Sequence, residues 1–163
     1  MKVLYAGSFD PITKGHMGII NEAKEMFDEV VVAVLINNMK KNYLFSIKER
    51  VELIKKIYKN EEKVRVVESD LCAVDVAKYY KCGALVRGIR GAQDIDYELT
   101  LAKVNNEISD NNLKTICLFG DFDYQHVSST IVREVYKLGK SVSNYVDPVV
   151  DQALKLRRDT NGD

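Results

Sequence analysis

The feature that most constrains this chain is the regular alternation of two hydrophobic periods. Residues 2–6 (KVLYA) and 29–36 (EVVVAVLI) are short valine-rich runs, and between them Ile19, Ile20, Ala23, Met26 and Phe27 recur at helical spacing. That reads as strand, helix, strand. Ser46 with Glu49 forms a capping box that opens a helix through about Tyr58, and a strand over residues 64–67 follows. A helix at 74–80 leads to a strand at 84–86, and a longer helix at 95–108 leads to a strand at 115–119. A helix over 129–138 ends at Gly139, and Asp147 with Pro148 starts a terminal helix expected to fray over residues 157–163. Strands that alternate with helices join through right-handed crossovers, which makes the sheet parallel and covers both its faces. The expected fold is an α/β, Rossmann-like single domain over residues 1–163, built on a five-stranded parallel sheet.

Composition narrows the function classes. The 24 Lys and Arg balance the 24 Asp and Glu, so no global positive field advertises a nucleic-acid or membrane-surface partner, and any anion site has to be local. The longest strongly apolar run, residues 30–36, falls far short of the roughly 20 residues of a membrane span, and no signal-peptide segment opens the chain. A cytoplasmic protein is expected. Cys72, Cys82 and Cys117 show no CxxC spacing and accompany two histidines, which favours neither a disulfide framework nor a zinc site. They are expected to be inert, partly buried thiols, and no protein-held metal is expected.

Ligands in open parallel sheets bind outside the carboxyl ends of the strands. The loop after the first strand, Gly7-Ser8-Phe9-Asp10-Pro11-Ile12-Thr13-Lys14-Gly15-His16, leads into a helix expected to begin at about His16, whose backbone N–H groups favour a phosphate. The formulas GxxxxGK[ST] and GxGxxG are absent there, and Gly139-Lys140-Ser141 has Glu134 where a phosphate loop needs glycine. Lys40 and Lys41 follow the second strand. After the fourth comes Arg87-Gly88-Ile89-Arg90-Gly91, two guanidiniums on a glycine-flanked turn, with Tyr97 and Glu98 on the next helix. After the fifth, Ser128, Ser129 and Thr130 put three hydroxyls at a helix start, with Arg133 one turn on. No nucleophile stands beside a general base, and no carboxylate pair is present. Such an inventory suits polyanion binding and in-line attack at phosphorus, where the protein positions and neutralises.

The first loop resembles the first signature of the nucleotidyltransferase superfamily, [HT]-x-G-H, met by Thr13-Lys14-Gly15-His16. Residues 127–133 (VSSTIVR) resemble the second. Lys40-Lys41 before Phe45-Ser46 and Glu49-Arg50, then Arg87 to Arg90, then Asp96-Tyr97-Glu98 with Ala102 and Asn105, resemble bacterial phosphopantetheine adenylyltransferases along nearly the whole chain. The resemblance implies transfer of AMP from ATP to 4′-phosphopantetheine, giving 3′-dephospho-coenzyme A and pyrophosphate, with Mg²⁺ carried mainly on the ATP phosphates. It implies a homohexamer and coenzyme A as a feedback ligand. By the same resemblance His16 stabilises the transition state, with Lys40 and Arg90 also in the catalytic set. Ser8, Lys40, Ala73 and Arg87 hold the acceptor. ATP falls to Ser8, Phe9, His16, Gly88, Ile89, Arg90 and Glu98, and to Tyr124, Gln125, His126, Val127, Ser128, Ser129 and Thr130.

The chain departs from the family pattern at three places. Ser8 stands where many members have Thr, Gly120-Asp121-Phe122-Asp123 replaces a Pro-Ser segment, and Cys72-Ala73 replaces larger apolar residues. Three alternatives use the same signatures: a nicotinate mononucleotide adenylyltransferase, a cytidylyltransferase acting on an alcohol phosphate, and a non-catalytic nucleotide-binding sensor. The first two leave Lys40, Arg87 to Arg90 and Tyr97-Glu98 unexplained together. A sensor has no need of an acceptor-phosphate site beside its ATP site.

Overall fold

The computed structural model describes residues 1–36 and 42–160. Five parallel strands, β1 (Lys2–Gly7), β2 (Glu29–Leu35), β3 (Val64–Ser69), β4 (Ala84–Gly88) and β5 (Lys114–Leu118), lie in the order β3-β2-β1-β4-β5. β1 is central, with Leu4 in register with Val31 of β2 on one side and with Leu85 of β4 on the other. The crossovers are α1 (Lys14–Met26), α2 (Ile47–Ile57), α3 (Ala73–Tyr79) and α4 (Ala92–Ile108), and α5 (Ser129–Lys137) and α6 (Pro148–Thr160) complete the chain.

The period of two along β1 sorts its side chains between two cores. Val3 and Tyr5 pack with Ile19 and Ile20 of α1, Leu53 and Ile54 of α2 and Val150 and Leu154 of α6. Leu4 and Ala6 face the other way, onto Val74, Val76 and Ala77 of α3. Helices therefore cover both faces, as the alternation of periods implies. Strand order reverses between β1 and β4, so the loops that follow these two strands diverge and leave a crevice at their carboxyl ends.

Several boundaries differ from those read in the sequence, each for a local reason. α1 begins at Lys14, not His16, because Thr13 is its N-cap and the His16 ring takes the part usually played by Glu or Gln in a capping box. α4 begins at Ala92 rather than Ile95, since the Asp94 carboxylate accepts the Arg90 N–H at 2.9 Å and Gly91 serves as N-cap. A short 3₁₀ turn, Phe122–Tyr124, stands where only a loop was expected. α6 runs through Thr160, where fraying was expected from 157, and Arg158 donates to the carbonyls of Tyr136 in the last turn of α5 and of Gly139 and Lys140 beyond it. The expectation of partly buried thiols needs correction. Cys72 and Cys117 are exposed, because one stands at the start of α3 and the other on the outward edge strand β5, and only Cys82 is half-buried.

Candidate active site

The loop after β1 is held from four directions. The buried Asp10 carboxylate accepts the backbone N–H groups of Leu44 at 2.7 Å and Phe45 at 2.9 Å. Arg50, itself buried, donates to the Ser8 carbonyl at 2.6 Å and lies over the Tyr43 ring. Arg133 donates to the Asp10 carbonyl at 2.5 Å, and the Ser129 hydroxyl donates to the Pro11 carbonyl at 2.9 Å. Phe9 is thereby kept buried at φ +46, in the left-handed region that a bulky side chain seldom occupies.

The same fixing orients His16. Its Nδ1 accepts the Thr13 backbone N–H at 3.1 Å and lies 2.9 Å from the Thr13 hydroxyl. A backbone amide can only donate, so Nδ1 carries no proton and the imidazole proton sits on Nε2. Burial, with the Arg90 charge adding to it, pulls the His16 pKa down from 6.5 to about 3. At neutral pH the ring is an uncharged donor, steadied by an edge contact with Phe9 at 5.2 Å between centroids.

His16 lines a cleft of about 280 Å³ whose walls include Ser8 and Phe9 after β1, Arg87, Gly88 and Arg90 after β4, Glu98 of α4, and Asp121, Tyr124, Gln125 and Val127. Gly15 lets the start of α1 approach this last segment, since a Cβ there would lie 2.8 Å from the Val127 carbonyl oxygen. A second cleft of about 530 Å³ opens on the other side of the β1 loop, between Leu35, Leu71, Cys72, Ala73, Tyr97 and Leu101, with Asn105 at its wall. The two share Ala6, Gly7, Ser8 and Arg87. They are halves of one crevice that meet at the end of β1.

Arg87 at that junction is engaged. Its Nε and Nη2 each donate at 2.7 Å to the two oxygens of the mostly buried Glu98, and Nη1 donates to the Ala6 carbonyl at 3.3 Å. Burial lowers the Arg87 pKa, but the Glu98 pair outweighs it and the net shift is upward. Arg90 lies at the rim, 3.7 Å from Asp94.

Of the other expected nucleotide contacts, Ser128 caps α5 by accepting the Ile131 N–H at 3.2 Å, and Thr130 accepts from Arg133. With Ser129, whose hydroxyl donates to the Pro11 carbonyl, they also brace the loop and helix start beside the cleft. His126 packs edge-on against Tyr145, and Ile89 is buried. Lys40 lies outside the described residues. The sequence reading missed Thr13, Arg50 and Asp10 as supports. It also missed Tyr5, a strand-interior aromatic that reaches the cleft wall. Thr13 and His16 did leave a signal, the three-residue spacing of a capping box.

Among the described residues no group of three or more His, Cys, Asp or Glu is arranged to hold a metal ion. Asp10 and Glu98 spend their oxygens on amides and on Arg87, and Asp121, which accepts the Asp123 N–H through Oδ1, is the cleft carboxylate with an oxygen to spare. This donor set fits a cation brought in on phosphate oxygens, with water and at most Asp121 completing its shell.

A reversed strand order, a helix start facing the crevice and a neutral histidine donor suit chemistry at a phosphate, and the comparisons with known proteins put the chain in the nucleotidyltransferase class. A family model described as cytidylyltransferase-like matches residues 4–135. The fold is also that of a lipopolysaccharide core biosynthesis protein from Thermoplasma volcanium GSS1, 22% identical, with a TM-score of 0.56 over 74% of this chain and 98% of that one. Sequence relatives are closer. A phosphopantetheine adenylyltransferase from Leptospira biflexa is 41% identical over 151 residues, 93% of each chain. Those of Finegoldia magna and Symbiobacterium thermophilum are 38% and 39% identical, over 96% and 95% of this chain and 95% and 94% of their own. The chain belongs to the phosphopantetheine adenylyltransferase family.

Proposed function

We infer that this protein transfers AMP from ATP to 4′-phosphopantetheine, yielding 3′-dephospho-coenzyme A and pyrophosphate. The observation that carries the reading is the juxtaposition of two unlike clefts at Ser8 and Arg87. One is a polar cleft with a helix start and an Nε2–H donor, and the other is a larger, more apolar cleft suited to a long thin acceptor. ATP occupies the first, with its α-phosphate at the start of α1, where the Nε2–H of His16 and the helix dipole meet charge that grows on the phosphoryl oxygens. Arg90 and the turn after β4 hold the nucleotide. The acceptor lies along Ala73, Leu101 and Asn105 and places its phosphate at the junction, near Ser8 and Arg87.

Attack is direct and in-line. Among the described residues no activated thiol faces the reacting position: the Cys72 thiol donates to Asp75 at 3.2 Å, and burial pushes Cys82 up to about 11. Mg²⁺ brought in on the ATP phosphates, with Asp121 able to join its shell, would supply charge neutralisation for the leaving pyrophosphate. Coenzyme A, which contains the product, competes for the same crevice.

A homohexamer is part of the reading. α4 runs 17 residues with only Glu98 buried, and it presents Ile95, Leu99, Val104 and Ile108, an apolar set suited to burial against other copies. A cytoplasmic setting fits the substrates, and no described helix is long and apolar enough to cross a membrane. Pyrophosphate release tests the activity. It is expected with ATP and 4′-phosphopantetheine, whereas release only with nicotinate mononucleotide, or with CTP and an alcohol phosphate, refutes the assignment. Nucleotide binding with no release from any acceptor would indicate a sensor.

A further inference from the structure

Tyr5 sits on the central strand with 7% of its surface exposed, yet it forms part of the wall of the first cleft. Its ring packs edge-on against Phe9 at 5.4 Å between centroids, and Phe9 in turn packs against His16, so the three rings run in series beneath the nucleotide cleft. The hydroxyl reaches the end of β4, where it would lie 4.0 Å from a Cβ placed on Gly88. No hydrogen bond within the described structure reaches this hydroxyl. The hydroxyl is open to the cleft rather than sealed in the core, so it is a polar group presented to whatever occupies that cleft. Phenylalanine would fill the same space, so the hydroxyl has no packing role.

We propose that the Tyr5 hydroxyl is a nucleotide-binding group, donating a hydrogen bond to an anionic oxygen of bound ATP at the floor of the first cleft. The proposal rests on the adenylyltransferase reading and extends it to a residue on the strand itself. Anionic character follows from the surroundings: Arg87 and Arg90 act on this hydroxyl more strongly than Glu98 does, and with Arg87 already paired to Glu98, Arg90 at the rim is the cation that draws negative oxygen. Burial pushes the Tyr5 pKa up to about 12, so the group arrives as a neutral donor rather than a competing charge. Tyr5 faces the core shared with α1, whereas the acceptor cleft lies on the side of Leu4 and Ala6, so the acceptor is out of its reach.

Tyr5→Phe removes the oxygen and keeps the ring. Titration calorimetry with a non-hydrolysable ATP analogue is expected to show binding weakened about 10- to 100-fold, the effect of one hydrogen bond to a charged group. Binding of 4′-phosphopantetheine to the same variant is expected within about twofold of the parent, and its ligand-free Tm close to the parent's, since the ring and its packing are kept and the hydroxyl removed opens to the cleft. Unchanged analogue affinity, equal weakening of both ligands, or a lower ligand-free Tm would each overturn the proposal. Should Tyr5→Phe not fold, 3-fluorotyrosine placed at position 5 keeps the hydroxyl. Its fluorine resonance should move with the analogue and not with the acceptor, and an unmoved resonance counts against the role. A parent protein that binds the analogue but releases no pyrophosphate refutes the adenylyltransferase reading alone, because the Tyr5 comparison needs only nucleotide binding.

Discussion

At the scale of single residues the account turns on His16. Its Nδ1 is spent on Thr13 and its Nε2–H faces the cleft, an arrangement that helps most when charge accumulates on the transferred phosphoryl group. His16→Ala should lower kcat about 100- to 1000-fold while leaving the KM values for ATP and acceptor within a few fold, as steady-state kinetics would show. The pH dependence has a definite sign. The folded pKa of about 3 lies below the 6.5 of the free side chain, so His16 stays neutral through the physiological range and contributes no limb to kcat near pH 6.5. Stability tied to this neutral ring is whole above pH 6.5 and is lost as pH falls toward 3, because the unfolded chain then binds the extra proton. Denaturation midpoints from pH 7 to 4 for the parent and His16→Ala check this: the parent should lose more than the variant. An acid limb in kcat near 6.5 that vanished in the variant would contradict the neutral-donor assignment.

At the scale of elements, the Arg87–Glu98 pair ties the end of β4 to α4 and fixes the junction between the two clefts. Glu98→Ala leaves a mostly buried guanidinium without its carboxylate and should cost about 2–4 kcal/mol in a denaturant titration, whereas a loss within 0.5 kcal/mol, roughly the scatter for surface sites, would mean the pair is solvated. The strands and crossover helices were legible in the sequence because period and capping are local. Ser46 with Glu49 announced α2 outright. Thr13 with His16 carries the same spacing, but a histidine at the third position conceals it, and α1 was accordingly read two residues late. Tertiary roles were the hidden ones. Ser129 and Arg133, expected at an anion cradle, also hold the β1 loop through carbonyl groups 118 and 123 residues away, a pairing that no local pattern encodes. The bidentate pairing of Glu98 with Arg87 is likewise a tertiary contact that the local sequence does not announce.

At the scale of the whole molecule, strand order decides where the chemistry sits. The alternation of periods implies a parallel sheet but not the order β3-β2-β1-β4-β5, which depends on how the crossovers pack and places the reversal between β1 and β4. The same scale governs assembly. Leu99 is 68% exposed on α4, and Leu99→Glu should convert the proposed hexamer to smaller species in light scattering coupled to size exclusion, while an unaltered hexamer would place the interface elsewhere. The central claim is that one crevice holds both substrates and passes AMP directly between them. The stereochemical course at the α-phosphorus tests it most directly: ATP made chiral there, turned over with 4′-phosphopantetheine, should give 3′-dephospho-coenzyme A with inverted configuration. Net retention, the mark of an adenylylated enzyme, would contradict the account.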